Sequence, residues 1–200
     1  MEVDKVSGFK KTPPTYFMNE EQRKIKTPEL NSFSRWPEKP YQWMMEGLVH
    51  TIQNVDGSYA NYLVALGLVC YTEVVGREIR KFKKLPFGAR YNKECFNTFL
   101  GDYMNYQDLL VSHPNLYRWY RHGLCHEFKI KNVGTRESGV FHFFTGNKKE
   151  EKIIKKFFNA DVTRGIVIGS NGKKLLFLEN YLRDFAKGIE KFLKESKQIV

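Results

Sequence analysis

The chain contains no run of about 20 consecutive apolar residues, the length a helix needs to cross a bilayer, so no membrane span and no membrane partner are expected. Its first segment, Met1 to Lys11, mixes charges and lacks the apolar stretch of a secretory signal, which predicts a cytoplasmic protein. Cysteine is scarce: Cys70, Cys95 and Cys125 are odd in number, far apart and never spaced C-x-x-C. That pattern argues against a disulfide framework and a thiolate zinc site and predicts reduced thiols. Internal repeats and long low-complexity tracts are also missing. Acidic residues are in deficit, 22 against 33 lysines and arginines, which leaves a net charge of +11 at pH 7. A basic excess of this size favours polyanions, so RNA or a nucleotide is the expected partner.

What is present suffices for a core, with 42% hydrophobic and 15% aromatic residues in a chain of 200. Pro13, Pro14, Pro28, Pro37 and Pro40 interrupt the first forty residues, which read as an extended N-terminal arm over 1–40. Tyr16, Phe17, Phe33 and Trp36 are available to pin that arm. Residues 41–200 read as a single helical domain, mainly α, with one or two small β-hairpins inserted between about 128 and 178.

Apolar residues at three- and four-residue steps predict a short helix from Tyr41 to Gln53 and a long one from Tyr59 to Phe82, which Ser58 is placed to cap. A helix capped by Asn92 presents Phe96, Phe99, Leu100 and Tyr103, and Pro114 suits the first turn of another reaching Glu127. Two strand pairs follow. Phe128 to Asn132 and Val140 to Thr145 form one hairpin, and Gly165 to Ile168 and Lys174 to Phe177 the second, with a short helix from Lys148 to Phe158 between them. Leu178, Leu182, Phe185, Ile189, Phe192 and Leu193 mark a closing amphipathic helix.

The chemistry concentrates between Pro114 and Glu127. On an ideal helix of about 100° per residue, Leu116, Tyr117, Trp119, Tyr120, Gly123 and Leu124 share a core face, while Arg121, Cys125, Arg118, His122 and His126 share the opposite arc. Solvated faces elsewhere are built of lysine and glutamate, as at Lys148 to Lys156, and this arc has neither until Glu127. Neutral imidazole, with an ordinary pKa of about 6.5, accepts a proton from a ribose 2′-hydroxyl. Guanidinium cannot, but its fixed fork of donors matches the nonbridging oxygens of a phosphate as charge builds on them. The end of the long helix, Arg77, Arg80, Lys81, Lys83 and Lys84, complements the helix dipole and equally suits RNA phosphates, as does Arg118.

Arg121, four intervening residues and His126 match R-x(4 to 6)-H, and the run from Tyr117 to Glu127 resembles the arginine, glycine, leucine, histidine, glutamate pattern of the HEPN superfamily. The resemblance covers about Ser58 to Lys131, with the last helix completing the bundle. It implies a HEPN-like helical bundle that dimerises by pairing motif helices, so that two copies of the arginine and histidine line one cleft. It further implies a metal-independent endoribonuclease that needs no cofactor and leaves a 2′,3′-cyclic phosphate. Carried over to this chain, Arg121 stabilises the phosphate and His126 acts as base or acid. His122 stands where the family often has asparagine or another polar residue, either a second proton carrier or a hydrogen-bond donor. Glu73, in the middle of the long helix, is the candidate for orienting Arg121, because a sheltered guanidinium needs an acidic partner. A non-catalytic binding or scaffolding dimer, or a toxin held in check by an antitoxin or other protein partner, is compatible with the same resemblance.

Three other readings are weaker. His122 and His126, at i and i+4, are spaced for zinc, but Gly123 stands where the zinc-protease pattern has glutamate and no third ligand follows at a fixed interval. Cys125 as a nucleophile is poorly served by His126, since neighbouring helical residues point apart. Gly169 to Lys174 lacks the phosphate-loop pattern and reads as a hairpin turn.

Overall fold

The computed structural model describes residues 39–54, 57–127, 140–142, 163–169 and 174–197. The arm up to residue 38, the strand expected at Phe128 to Asn132 and the helix expected at Lys148 to Phe158 lie outside them. The protein is mainly α. Helices α1 (Lys39–Asn54) and α2 (Gly57–Phe82) open the fold. Then α3 (Asn92–Thr98) runs into a π turn at Phe99–Tyr103, and α4 (Gln107–Ser112) follows. A second π turn, Tyr117–His122, continues as α5 (Gly123–Glu127). Strands β1 (Val140–His142), β2 (Ile166–Ile168) and β3 (Lys174–Phe177) precede the closing α6 (Leu178–Lys197).

Helix α2 is the spine. Val64, Ala65, Leu68, Val69, Val75 and Ile79 recur at helical spacing and are buried, each contributing about 1.5–3 kcal/mol when a full-sized apolar side chain leaves water. Its end is a Schellman motif: Leu85 N donates to Arg80 O at 2.8 Å and Lys84 N to Lys81 O at 3.1 Å, with Lys84 at φ 55°. Gly88, at φ 105°, then turns the chain into α3. The backbones of α2 and α3 approach so closely at Gly76 that a side chain there would strike the Cys95 carbonyl.

Aromatic packing joins α3 and its π turn to α6. Phe99 meets Phe185 edge-on at 5.3 Å, and Phe192 is met edge-on by Tyr103 at 5.9 Å and by Phe82 at 5.8 Å. Buried hydroxyls find partners as burial demands: Thr72 Oγ1 lies 2.7 Å from Tyr181 Oη, and Tyr120 donates to Leu175 O at 3.2 Å.

Three expectations change. Asn92 begins α3 but forms no side-chain cap; its Oδ1 instead accepts a hydrogen bond from Arg77 Nη2 at 3.1 Å. Pro114 lies in a turn after α4, and helical structure resumes only at Leu116, because the proline follows His113 at the end of a helix rather than opening one. The second expected hairpin is present, with β2 antiparallel to β3 in the register Val167↔Leu175. Val140–His142, expected as one arm of the other hairpin, runs parallel to β3 in the register Phe141↔Leu176, giving one sheet in the order β1-β3-β2.

Candidate functional site on the motif helix

The polar arc of the motif helix divides into two columns. Arg118, His122 and His126, each four residues apart, are exposed, and the two imidazole rings lie 4.6 Å apart. Arg121 and Cys125, also four apart, turn toward α2 and are half-buried. The ideal wheel already sets Arg121 and Cys125 at one edge of the arc and Arg118, His122 and His126 across the rest of it, and the structure turns the Arg121 edge toward α2. The apolar side behaves as expected at Leu116, Tyr120, Gly123 and Leu124, all buried, whereas Tyr117 and Trp119 are half-buried.

Glu73 is the centre of the buried column. Its side chain is only 4% exposed, and Arg121 Nε lies 2.7 Å from its Oε2. This is an ion pair by distance, although the Nε–H is angled away from hydrogen-bond geometry. Tyr117 Oη donates to the same oxygen at 3.2 Å, and Arg77 Nη2 to Oε1 at 3.4 Å. Burial first, then the negative charge of Glu73, pushes the Tyr117 phenol up to about 12, so it stays a donor. For Arg121, burial works against the charged form but is outweighed by the fields of Cys125 and Glu73, and its pKa rises. Two guanidinium groups thus converge on one carboxylate, which leaves the cluster with surplus positive charge beside the exposed histidines.

Sequence reasoning anticipated the juxtaposition of Glu73 and Arg121, but not three other features. Tyr117 packs its ring against Phe96 on the core side, as expected, while its hydroxyl also reaches Glu73. Arg77, expected among residues facing RNA, closes on Glu73 and Asn92. Cys70 and Cys125, far apart in sequence, bring their sulfurs within 3.4 Å of each other. The signal was available in register: α2 and the motif helix run antiparallel here, so pairing Glu73 with Arg121 also brings together a residue one turn before the former and one turn after the latter. Tyr62 Oη, donating to Leu124 O at 2.9 Å, adds a further contact between the two helices.

The basic end of α2 is only partly open. Arg80 donates to Pro86 O at 2.7 Å and to Thr98 Oγ1 at 3.2 Å. Lys83 lies 3.8 Å from Glu195 and 5.0 Å over the Tyr103 ring. Lys81 and Lys84 are exposed. Away from this end, Lys174 is buried with its Nζ 4.4 Å over the Trp119 ring, and desolvation lowers its pKa.

Among the described residues no three His, Cys, Asp or Glu side chains cluster to hold a metal ion, and no helix is long and apolar enough to cross a membrane. Compared with known proteins, the chain matches no family model, no curated protein and no solved structure.

Proposed function

We propose that this protein is a HEPN-like, RNA-binding homodimer that cleaves RNA without metal, with Arg121 and His126 as its catalytic pair. The observation that carries the reading is the pairing of the two columns on one helix. A guanidinium backed by buried Glu73 stands beside two exposed imidazoles 4.6 Å apart. In the reaction, His126 takes the proton of a ribose 2′-hydroxyl as it attacks the adjacent phosphorus. Arg121 balances the charge growing on the nonbridging oxygens, and His122 is placed to return a proton to the leaving 5′-oxygen. The product is a 2′,3′-cyclic phosphate. The histidines face solvent in the single chain, so the second copy of the motif helix supplies the shelter of a cleft. Arg118, Lys81 and Lys84, all exposed, offer phosphate contacts outside the reacting site, with Arg77, Arg80 and Lys83 contributing to the field.

A different observation favours a binding dimer without cleavage: Arg121 is already engaged by Glu73, as an arginine with a structural task would be. Labelled RNA incubated with purified protein in EDTA separates the two readings. Under the nuclease reading, Arg121→Ala and His126→Ala each lower cleavage at least about a hundredfold while the dimer persists. Equal background in all three proteins, with RNA still retained, overturns it in favour of the binder.

A further inference from the structure

Cys70 on α2 and Cys125 on α5 are separated by 55 residues in sequence, yet their half-buried sulfurs stand 3.4 Å apart. We propose that these two thiols form a reversible dithiol–disulfide couple, a covalent modification site whose co-reactant is a low-molecular-weight disulfide. A sulfur–sulfur bond of about 2.05 Å needs the two atoms to close by about 1.4 Å from where they stand, a movement within the reach of side-chain torsion.

The surroundings assign the two sulfurs different tasks. Cys70 is pushed up to about 12, by burial first and by its hydrogen bond with Cys125 second, so it waits as the protonated partner. Cys125 lies one helical turn beyond Arg121 on the motif helix, so the attack on the small disulfide falls to it rather than to the protonated Cys70. Cys95 is fully buried on α3, and burial raises its pKa, which makes it an internal control.

The exchange balances without any further reactant. The Cys125 thiolate attacks one sulfur of the small disulfide RSSR, forming a Cys125–SR bond and releasing RS⁻. Cys70 gives its proton to that thiolate and attacks the Cys125 sulfur. The Cys70–Cys125 bond forms, the Cys125–SR bond breaks, and the second RS⁻ takes up the proton that Cys125 had released. The two protein thiols lose two electrons and two protons, and RSSR becomes two RSH. The bond would join α2 one turn before Glu73 to the motif helix one turn after Arg121, fixing the helices on either side of that ion pair. The proposal does not depend on the nuclease reading.

The test equilibrates the full-length chain in glutathione buffers of increasing oxidised fraction, quenches it in acid, alkylates it, and maps peptides by mass spectrometry. A linked Cys70–Cys125 peptide is expected to accumulate together with a fall from three free thiols to one, Cys95 staying alkylated throughout, and to vanish on adding dithiothreitol. In Cys70→Ser, Cys125 should stop at the mixed disulfide with glutathione. The proposal is overturned if the unaltered chain accumulates glutathione on Cys125 with no linked peptide at any ratio. Bonding of Cys125 to a second chain, or to Cys95, overturns it equally.

Discussion

Among the described residues the same backbone departure occurs twice, and the two cases serve opposite ends. At Phe99–Tyr103 the π turn closes with Met104 N donating to Phe99 O at 3.1 Å, and Phe99, Leu100, Gly101 and Tyr103 are all buried. At Tyr117–His122 the turn closes with Gly123 N donating to Arg118 O, and only Tyr120 of its six residues is buried. A π turn is less favourable than an α turn, so each must be held by what surrounds it. In the first, aromatic packing against α6 holds the widened turn. In the second, the segment carries Arg121 inward to Glu73 while His122 and His126 stay outward. Strain tolerated for packing and strain tolerated for side-chain placement are distinguished by mutation.

The largest expected effect belongs to the first turn. Phe99 touches Phe185 and Tyr103 and fills the space against Gly188. Phe99→Ala should cost about 3–5 kcal/mol, read by urea unfolding, and leave the contacts of Glu73 with the motif helix in place. A loss below about 1 kcal/mol would mean that aromatic packing does not hold this turn.

The second turn should respond through charge rather than volume. Glu73→Gln keeps an acceptor for Tyr117 but removes the anion shared by Arg77 and Arg121. Because Arg121 is 20% and Arg77 38% exposed, water relieves part of the loss, and about 1–3 kcal/mol is expected rather than the larger cost of a fully buried orphan charge. A double-mutant cycle with Arg121→Ala should give a coupling of about 1–3 kcal/mol. Additivity within about 0.5 kcal/mol would break the contrast between the turns, leaving the ion pair without energetic content.

How much of this was legible in the sequence follows the same division. Helices α1, α2 and α6 declared themselves because their apolar residues keep a strict helical period, and α2 was placed within two residues of its start. The pairing of β2 with β3 was legible from two short apolar runs around a glycine-rich turn. Glu73 opposite Arg121 followed from the need of a sheltered guanidinium for an anion. The π turn itself did not follow, because no residue type in Tyr117–His122 announces one. Cys70 and Cys125 were missed for a related reason: a thiol pair created by two crossing helices has no local spacing, unlike C-x-x-C. The parallel pairing of β1 with β3 is likewise a long-range choice that alternation along either strand does not encode.

The smallest effect, and a control for both turns, lies on α4 between them. Arg164 Nη1 donates to Asp108 Oδ1 at 2.8 Å and Oδ2 at 2.7 Å, with the two side chains 38% and 63% exposed. The hydrogen bond from Arg164 holds the Asp108 carboxyl below its ordinary value of 3.8, against the opposing effect of burial. A carboxyl whose folded-state pKa is depressed adds stability that is present above the unfolded value and fades as pH falls through the folded one. Asp108→Asn should therefore cost less than about 1 kcal/mol at neutral pH. The gap between the two proteins should close as unfolding is followed into acid below that ordinary value. Since Asp108 belongs to neither π turn, the variant should keep the unfolding cooperativity and the Glu73–Arg121 coupling of the unaltered chain. A gap that widens in acid would assign the stabilisation to some group other than this carboxylate, and a change in the coupling would mean that the two turns communicate through α4.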